Sequence, residues 1–259
     1  MRSATGLTVR AFTPAGPVET TFAGAARTAG SAEPPVLLVH GFGSDGRRDW
    51  IDTGIATALA GTGRTVLVPD LRGHGGTPAP STAAEAGVPG HLSDLVAVLD
   101  EAGATTFDAV GYSMGARLTW DLPAAAPGRL RRAVLGGLAP AEPFEAVDVA
   151  ALHRAVADGT EPADPLTSMI AGMVRAQGTR AAGLARCVEG LRDTPFAPRS
   201  WAGGAPPVLV VGEQDMMTRG IERVAAATDG ARLVTVPGDH HEVLAGAAFR
   251  RTVLEALTG

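Results

Sequence analysis

Ser113 stands in the run Gly111-Tyr112-Ser113-Met114-Gly115, a G-x-S-x-G pattern. Glycines on both sides permit a sharp strand-to-helix turn that lifts a serine hydroxyl above the edge of a sheet. A bare hydroxyl is a poor nucleophile at neutral pH, so such a serine needs a base and a group that orients the base. Downstream, Gly212-Glu213-Gln214-Asp215 offers two carboxylates, and Pro237-Gly238-Asp239-His240-His241 offers two imidazoles. Serine, acid and histidine in that order match the order expected when an elbow of this type is carried on a parallel α/β sheet. An aspartate on the imidazole fixes its tautomer and stabilises the imidazolium formed as the serine gives up its proton. The chemistry this set can perform is nucleophilic attack on a carbonyl, through a covalent acyl intermediate.

Three distant loops must meet for that to happen, and the pattern of elements brings them together. Val36-Leu37-Leu38-Val39, Thr65 to Pro69, Phe107 to Gly111, Ala133-Val134-Leu135, Val208 to Val211 and Leu233 to Val236 are short apolar runs rich in β-branched residues. Such runs read as strands buried on both faces. Helical patterns fall between them, over about 49–60, 91–102, 114–122, 221–227 and 246–257. Strands alternating with helices predict a mostly parallel, doubly wound α/β sheet whose strand carboxyl ends share one edge. Leu7–Phe12 and Val18–Phe22 alternate and are bounded by Pro and Gly, which predicts an antiparallel edge hairpin. Residues 141–204 lack a buried-strand run. The expected organisation is a core domain over 1–140 and 205–259, with a helical cap over 141–204 inserted after the sixth strand. Apolar lining for a pocket under that cap is expected from Phe144, Met169 and Met173.

With these residues in view, the chain resembles the α/β-hydrolase superfamily, in its serine-nucleophile, esterase- and lipase-like members. The likeness runs over nearly the whole length. It is carried by Leu37-Leu38-Val39-His40-Gly41-Phe42-Gly43, by Pro69-Asp70-Leu71-Arg72-Gly73-His74-Gly75-Gly76-Thr77, by the serine elbow, and by the Glu213/Asp215 and His240/His241 loops. The resemblance implies Ser113 as nucleophile and Asp215 as acid, with Glu213 the alternative. It implies an oxyanion hole from the backbone N–H groups of Phe42 and Met114. For the base it leaves two choices. A Pro-Gly-x-Gly-His spacing would select His241, and an Asp-His pair followed by the Phe249-Arg250 helix start selects His240, the expected base. An aspartate at the elbow would have implied dehalogenase or epoxide hydrolase chemistry; serine argues against both. The activity implied is cofactor-independent cleavage of a carboxylic ester or related acyl bond such as a lactone or thioester. Acyl transfer, perhydrolysis, carbon–carbon bond hydrolysis and a ligand-binding receptor remain open on the same residues.

Composition narrows the partners. The 259 residues carry a net charge of −5, and the arginines are scattered, so nucleic acid is not an expected partner. One cysteine, Cys187, excludes an intrachain disulfide and a cysteine-based zinc site. No helical His-x-x-x-His pair, dinucleotide fingerprint or Walker loop is present, so neither metal nor cofactor is expected. No apolar run of about 18 residues and no leader pattern predict a membrane span or export, which makes a cytoplasmic protein acting on a small acyl substrate the expectation. The sequence leaves the oligomeric state open.

Overall fold

Strands whose residues are apolar at nearly every position form the centre of the sheet. In the computed structural model, which describes residues 6–13, 16–18, 33–198 and 200–259, β3 (Val36–Val39), β4 (Val66–Pro69) and β5 (Phe107–Tyr112) are buried throughout. With β1 (Val9–Thr13), β2 (Gly16–Val18), β6 (Leu130–Gly136), β7 (Val208–Gly212) and β8 (Arg232–Val236) they make an eight-stranded sheet ordered β2-β1-β4-β3-β5-β6-β7-β8. β4, β3, β5, β6, β7 and β8 run parallel, whereas β1 is antiparallel to both β2 and β4. The expected edge hairpin is therefore present, with its second strand at Gly16–Val18; residues 19–22, where it was expected to continue, lie outside the described residues.

Helices cover both faces. Leu37 and Val39 of β3 point into a core shared with α2 (Val88–Glu101) and α3 (Met114–Ala125). Val36 and Leu38 point the opposite way, into a core with α1 (Ile55–Ala60) and the later α9 (Ala247–Thr258). This is the period of two that a pleated strand imposes, with each face finding an apolar cover. At the amino-terminal ends of the strands, buried Arg64 and Asp108 pair at 2.7 Å, with the Arg131 Nε donating to the second Asp108 oxygen at 3.3 Å.

One expected helix is broken in two. The pattern over 49–60 predicts a continuous helix, yet the chain makes a π-helical turn at Arg47–Ile51 and only then α1. Gly54 lies between them at φ +75°, the left-handed region that glycine enters without a Cβ penalty. Such π turns often occur at functional sites, and this one carries Asp49.

Between β6 and β7 lie three α-helices, α4 (Val149–Asp158), α5 (Pro165–Arg175) and α6 (Ala181–Arg192). Asp148 and Asp164 cap the first two, accepting from the Ala151 and Thr167 amides at 3.0 and 2.8 Å. Leu152, Ile170, Val174, Leu184 and Val188 are buried where these helices meet the α2–α3 side of the core. The Cys187 thiol is buried among them, which pushes its pKa up to about 12. Among the described residues no helix is long and apolar enough to cross a membrane.

Candidate active site

Ser113 follows directly on β5 and precedes α3. Its φ of 54° makes it the one residue other than glycine with positive φ among the described residues. Strain of this kind costs on the order of 1–3 kcal/mol and persists only where the surroundings enforce it. Here they do. The Ser113 N–H donates to the Gly136 carbonyl at 2.8 Å. A Cβ on Gly111 would overlap the Gly115 carbonyl, and one on Gly115 would overlap the Val39 carbonyl. Both flanking glycines are thus needed for α3 to lie against β3 and β5.

Asp215 follows β7 and is buried. Its Oδ2 stands 2.7 Å from His240 Nδ1, while its Oδ1 accepts the Met217 amide at 2.9 Å. Glu213 is exposed, and its carboxylate lies 3.5 Å from the Gln214 side-chain amide. His240 opens a short helix, α8 (His240–Ala245), where the sequence pattern showed only a loop. Asp239 caps that helix through the His241 and Glu242 amides, at 2.8 and 2.9 Å, and these bonds hold its carboxyl below the usual aspartate range. The cap fixes where the chain turns and so where His240 points. Tyr112 steadies the same residue: its hydroxyl donates to the His240 carbonyl at 2.6 Å, and its ring lies 5.3 Å from the imidazole. Burial raises the Tyr112 pKa, so it remains a donor. His241 is exposed, with its ring edge-on to His240 at 5.8 Å.

Ser113 and His240 line one cleft of about 410 Å³, together with Gly41, Phe42, Tyr112 and Met173. The Gly41–Gly43 loop is tied down by a residue that sequence reasoning missed. Asp49 Oδ2 accepts the Gly41 amide at 2.8 Å, and its Oδ1 accepts the Ser44 hydroxyl. The only trace of this in the sequence is an acid beside a tryptophan, which reads equally well as the start of a helix. His40 braces the loop from behind: its Nε2 accepts the Leu71 amide at 2.9 Å, and its Nδ1 meets the Gly41 carbonyl at 2.8 Å. The Phe42 ring is held edge-on between His74 and Phe144, at 5.7 and 5.0 Å.

Two expected lining residues fall elsewhere. Phe144 is buried behind Phe42 and supports that ring, rather than facing the cleft. Met169 is 63% exposed and points away from it. On α5 the apolar stripe that enters the core runs through Ile170 and Val174, so Met169 and Met173 lie on the outer flank, and only Met173, at the end nearer the cleft, reaches it. The Met114 side chain packs in the core, which leaves its expected contribution one of backbone alone.

A model of the alpha/beta hydrolase family matches residues 36–253. The chain belongs to the alpha/beta hydrolase family. Among curated proteins, the chain is 37% identical over 90 residues to "Epoxide hydrolase A" of Mycobacterium tuberculosis. That match takes in 35% of this chain and only 27% of the relative's length. Among solved structures, the enol-lactonase from Burkholderia xenovorans LB400 superposes with a TM-score of 0.71 at 22% identity, over 98% of this chain and 96% of that one. A thermophilic esterase from Thermogutta terrifontis superposes with a TM-score of 0.69 at 21% identity, over 88% and 90% of the two chains. At such identities these likenesses speak for the fold of the hydrolase.

Proposed function

We propose that this hydrolase cleaves a carboxylic ester or related acyl bond, a lactone or thioester, through an acyl-enzyme on Ser113. The observation that carries the reading is the 2.7 Å contact of His240 Nδ1 with buried Asp215, in a cleft that also holds a serine on a strained elbow. With Nδ1 engaged by Asp215, Nε2 is the nitrogen left to act as base. Ser113 Oγ attacks the acyl carbon as His240 Nε2 takes its proton. The tetrahedral oxyanion is received by the Phe42 and Met114 N–H groups, each worth roughly 3 kcal/mol of barrier by mutational analogy. Collapse of the intermediate expels the alcohol, which takes the proton from His240. Water activated by the same imidazole then releases the acid and restores Ser113.

His240, rather than His241, is the base in this scheme, and Asp215, rather than Glu213, is its partner. Residues 141–204 serve as the cap over the cleft, reaching it through Met173 and Gln177. The epoxide hydrolase relative favours a second reading, ring opening of an epoxide. A serine at the elbow, where that chemistry calls for an aspartate, supports the acyl reading instead. Labelling with a fluorophosphonate and mapping the modified peptide tests the proposal. Modification of Ser113, abolished in S113A, is expected; labelling elsewhere, or none, overturns it.

A further inference from the structure

We propose that Arg48 and Arg250 form a subsite for a carboxylate that the substrate carries at a distance from its scissile acyl bond. The inference rests on the Ser113 reading above and names the class of substrate for that site. Arg48, on the π-helical turn, lines the cleft that holds Ser113 and His240. Thr53 lines the same cleft, and its carbonyl accepts Arg250 Nη1 from α9 at 3.3 Å. Arg48 thus lines the cleft and Arg250 stands beside its Thr53 wall, two exposed guanidinium groups on separate elements. Neither has an ion-pair partner among the described residues, whereas the adjacent Arg47 pairs with Asp52 at 3.7 Å.

The carboxylates nearby engage backbone and hydroxyl donors, and neither forms an ion pair with Arg48 or Arg250. Asp49 accepts from Gly41 and Ser44, and Asp45 Oδ1 accepts the Arg48 backbone amide at 2.9 Å. In a chain of net charge −5, two exposed guanidinium groups without an ion-pair partner among the described residues offer an anion a point of attachment. The planar guanidinium fork matches a carboxylate. Met173, Leu244 and Ala245 give the cleft an apolar strip as well. A short aliphatic ester ending in a carboxylate satisfies both surfaces, and a volume of about 410 Å³ suits a substrate of that size.

The test compares monomethyl adipate with dimethyl adipate, and monomethyl glutarate with its diester, in the intact chain. A kcat/KM about tenfold higher for the half-esters at low salt is expected, expressed in KM and weakened by added salt, because the rim is solvent-exposed. R48Q should lose the preference, R250Q should reduce it, and R47Q should keep it. Equal turnover of half-ester and diester, or a preference surviving in R48Q, overturns the subsite. Where neither ester is cleaved, protection of Ser113 from fluorophosphonate by free adipate or glutarate decides: protection lost in R48Q supports the subsite, and no protection overturns it. Protection by inorganic phosphate but not by the dicarboxylates also overturns it, assigning the rim to phosphate. A protein that neither cleaves nor labels fails the Ser113 reading instead. Adipate binding by titration calorimetry, weakened in R48Q, would then still uphold the subsite, and equal or absent binding would end it.

Discussion

His240 Nδ1 lies 2.7 Å from the Oδ2 of Asp215, a carboxylate that arrives on the neighbouring strand and is sealed from solvent. That contact sets which imidazole nitrogen faces the cleft. Replacing Asp215 with Asn keeps the shape and removes the charge that stabilises the imidazolium. A fall in kcat of about 10³–10⁴-fold is expected in steady-state assays, with little change in KM. H240A should be at least as damaging, whereas H241A should retain most turnover. The opposite ranking of the two histidine variants would reassign the base.

Gly137 offers a test of imidazole position that removes none of the proposed reacting groups. It sits at φ +61°, and a Cβ there would stand 2.8 Å from His240 Cε1 and about 3.1 Å from the Tyr112 ring. G137A should therefore shift the imidazole and strain the turn together. We expect at least a tenfold loss of kcat/KM and a lowered melting temperature, with far-ultraviolet circular dichroism unchanged at assay temperature.

Asp49 is a positioning residue, acting on the reaction through the Gly41 amide and the Ser44 hydroxyl. D49A removes both bonds and leaves a buried N–H unpaired, at about 1–3 kcal/mol. The Phe42 amide is the next along the chain, so the proposed oxyanion donor should loosen with the loop. Kinetics should show kcat reduced about ten- to a hundredfold, with KM nearly constant. S44A, which removes one bond and leaves the Gly41 contact, should fall between D49A and the parent.

Stability should decline toward acid through two buried histidines. His91 is fully buried, and burial, followed by the nearby His40, lowers its pKa from 6.5 to about 4. His74 is lowered in the same direction, again first by burial and then by His40. In the unfolded chain both titrate near 6.5, so between about 4 and 6.5 the unfolded state binds more protons than the folded one. Unfolding free energy must fall as pH drops through that window, by about 3 kcal/mol for His91 at its acid end. Urea denaturation at stepwise pH should show this slope, and H91L should flatten it.

The sheet was legible because its strands are apolar at successive positions and are punctuated by glycine, a pattern that surface helices and loops seldom produce. The serine, acid and histidine loops were legible for a related reason: each directly follows a buried strand, and parallel strands deliver their ends to one edge. Asp49 was hidden, since its role depends on the Gly54 break that turns the helix aside, and a left-handed glycine within a helical pattern looks like a tolerated substitution. The lining of the cleft was hidden too. Met169 and Met173 are equivalent by composition and nearly by spacing, both are exposed, and only the way α5 sits on the fold brings Met173 and not Met169 to the cleft. Spacing pointed to His240 over His241 as the expected base, and the detail it does not carry is the 2.7 Å contact between His240 Nδ1 and Asp215.

The insertion of α4 to α6 between β6 and β7 has a consequence for synthesis. As the nascent chain leaves the ribosome, the Ser113 elbow and the strands that brace it emerge first, and Asp215 and His240 follow only after a long stretch of helices. On the proposed mechanism, a truncated product ending anywhere before residue 240 carries Ser113 without its base, however well its first six strands have folded. On that scheme reactivity is switched on by completion of the carboxyl-terminal quarter, and fragments released early are expected to be chemically silent.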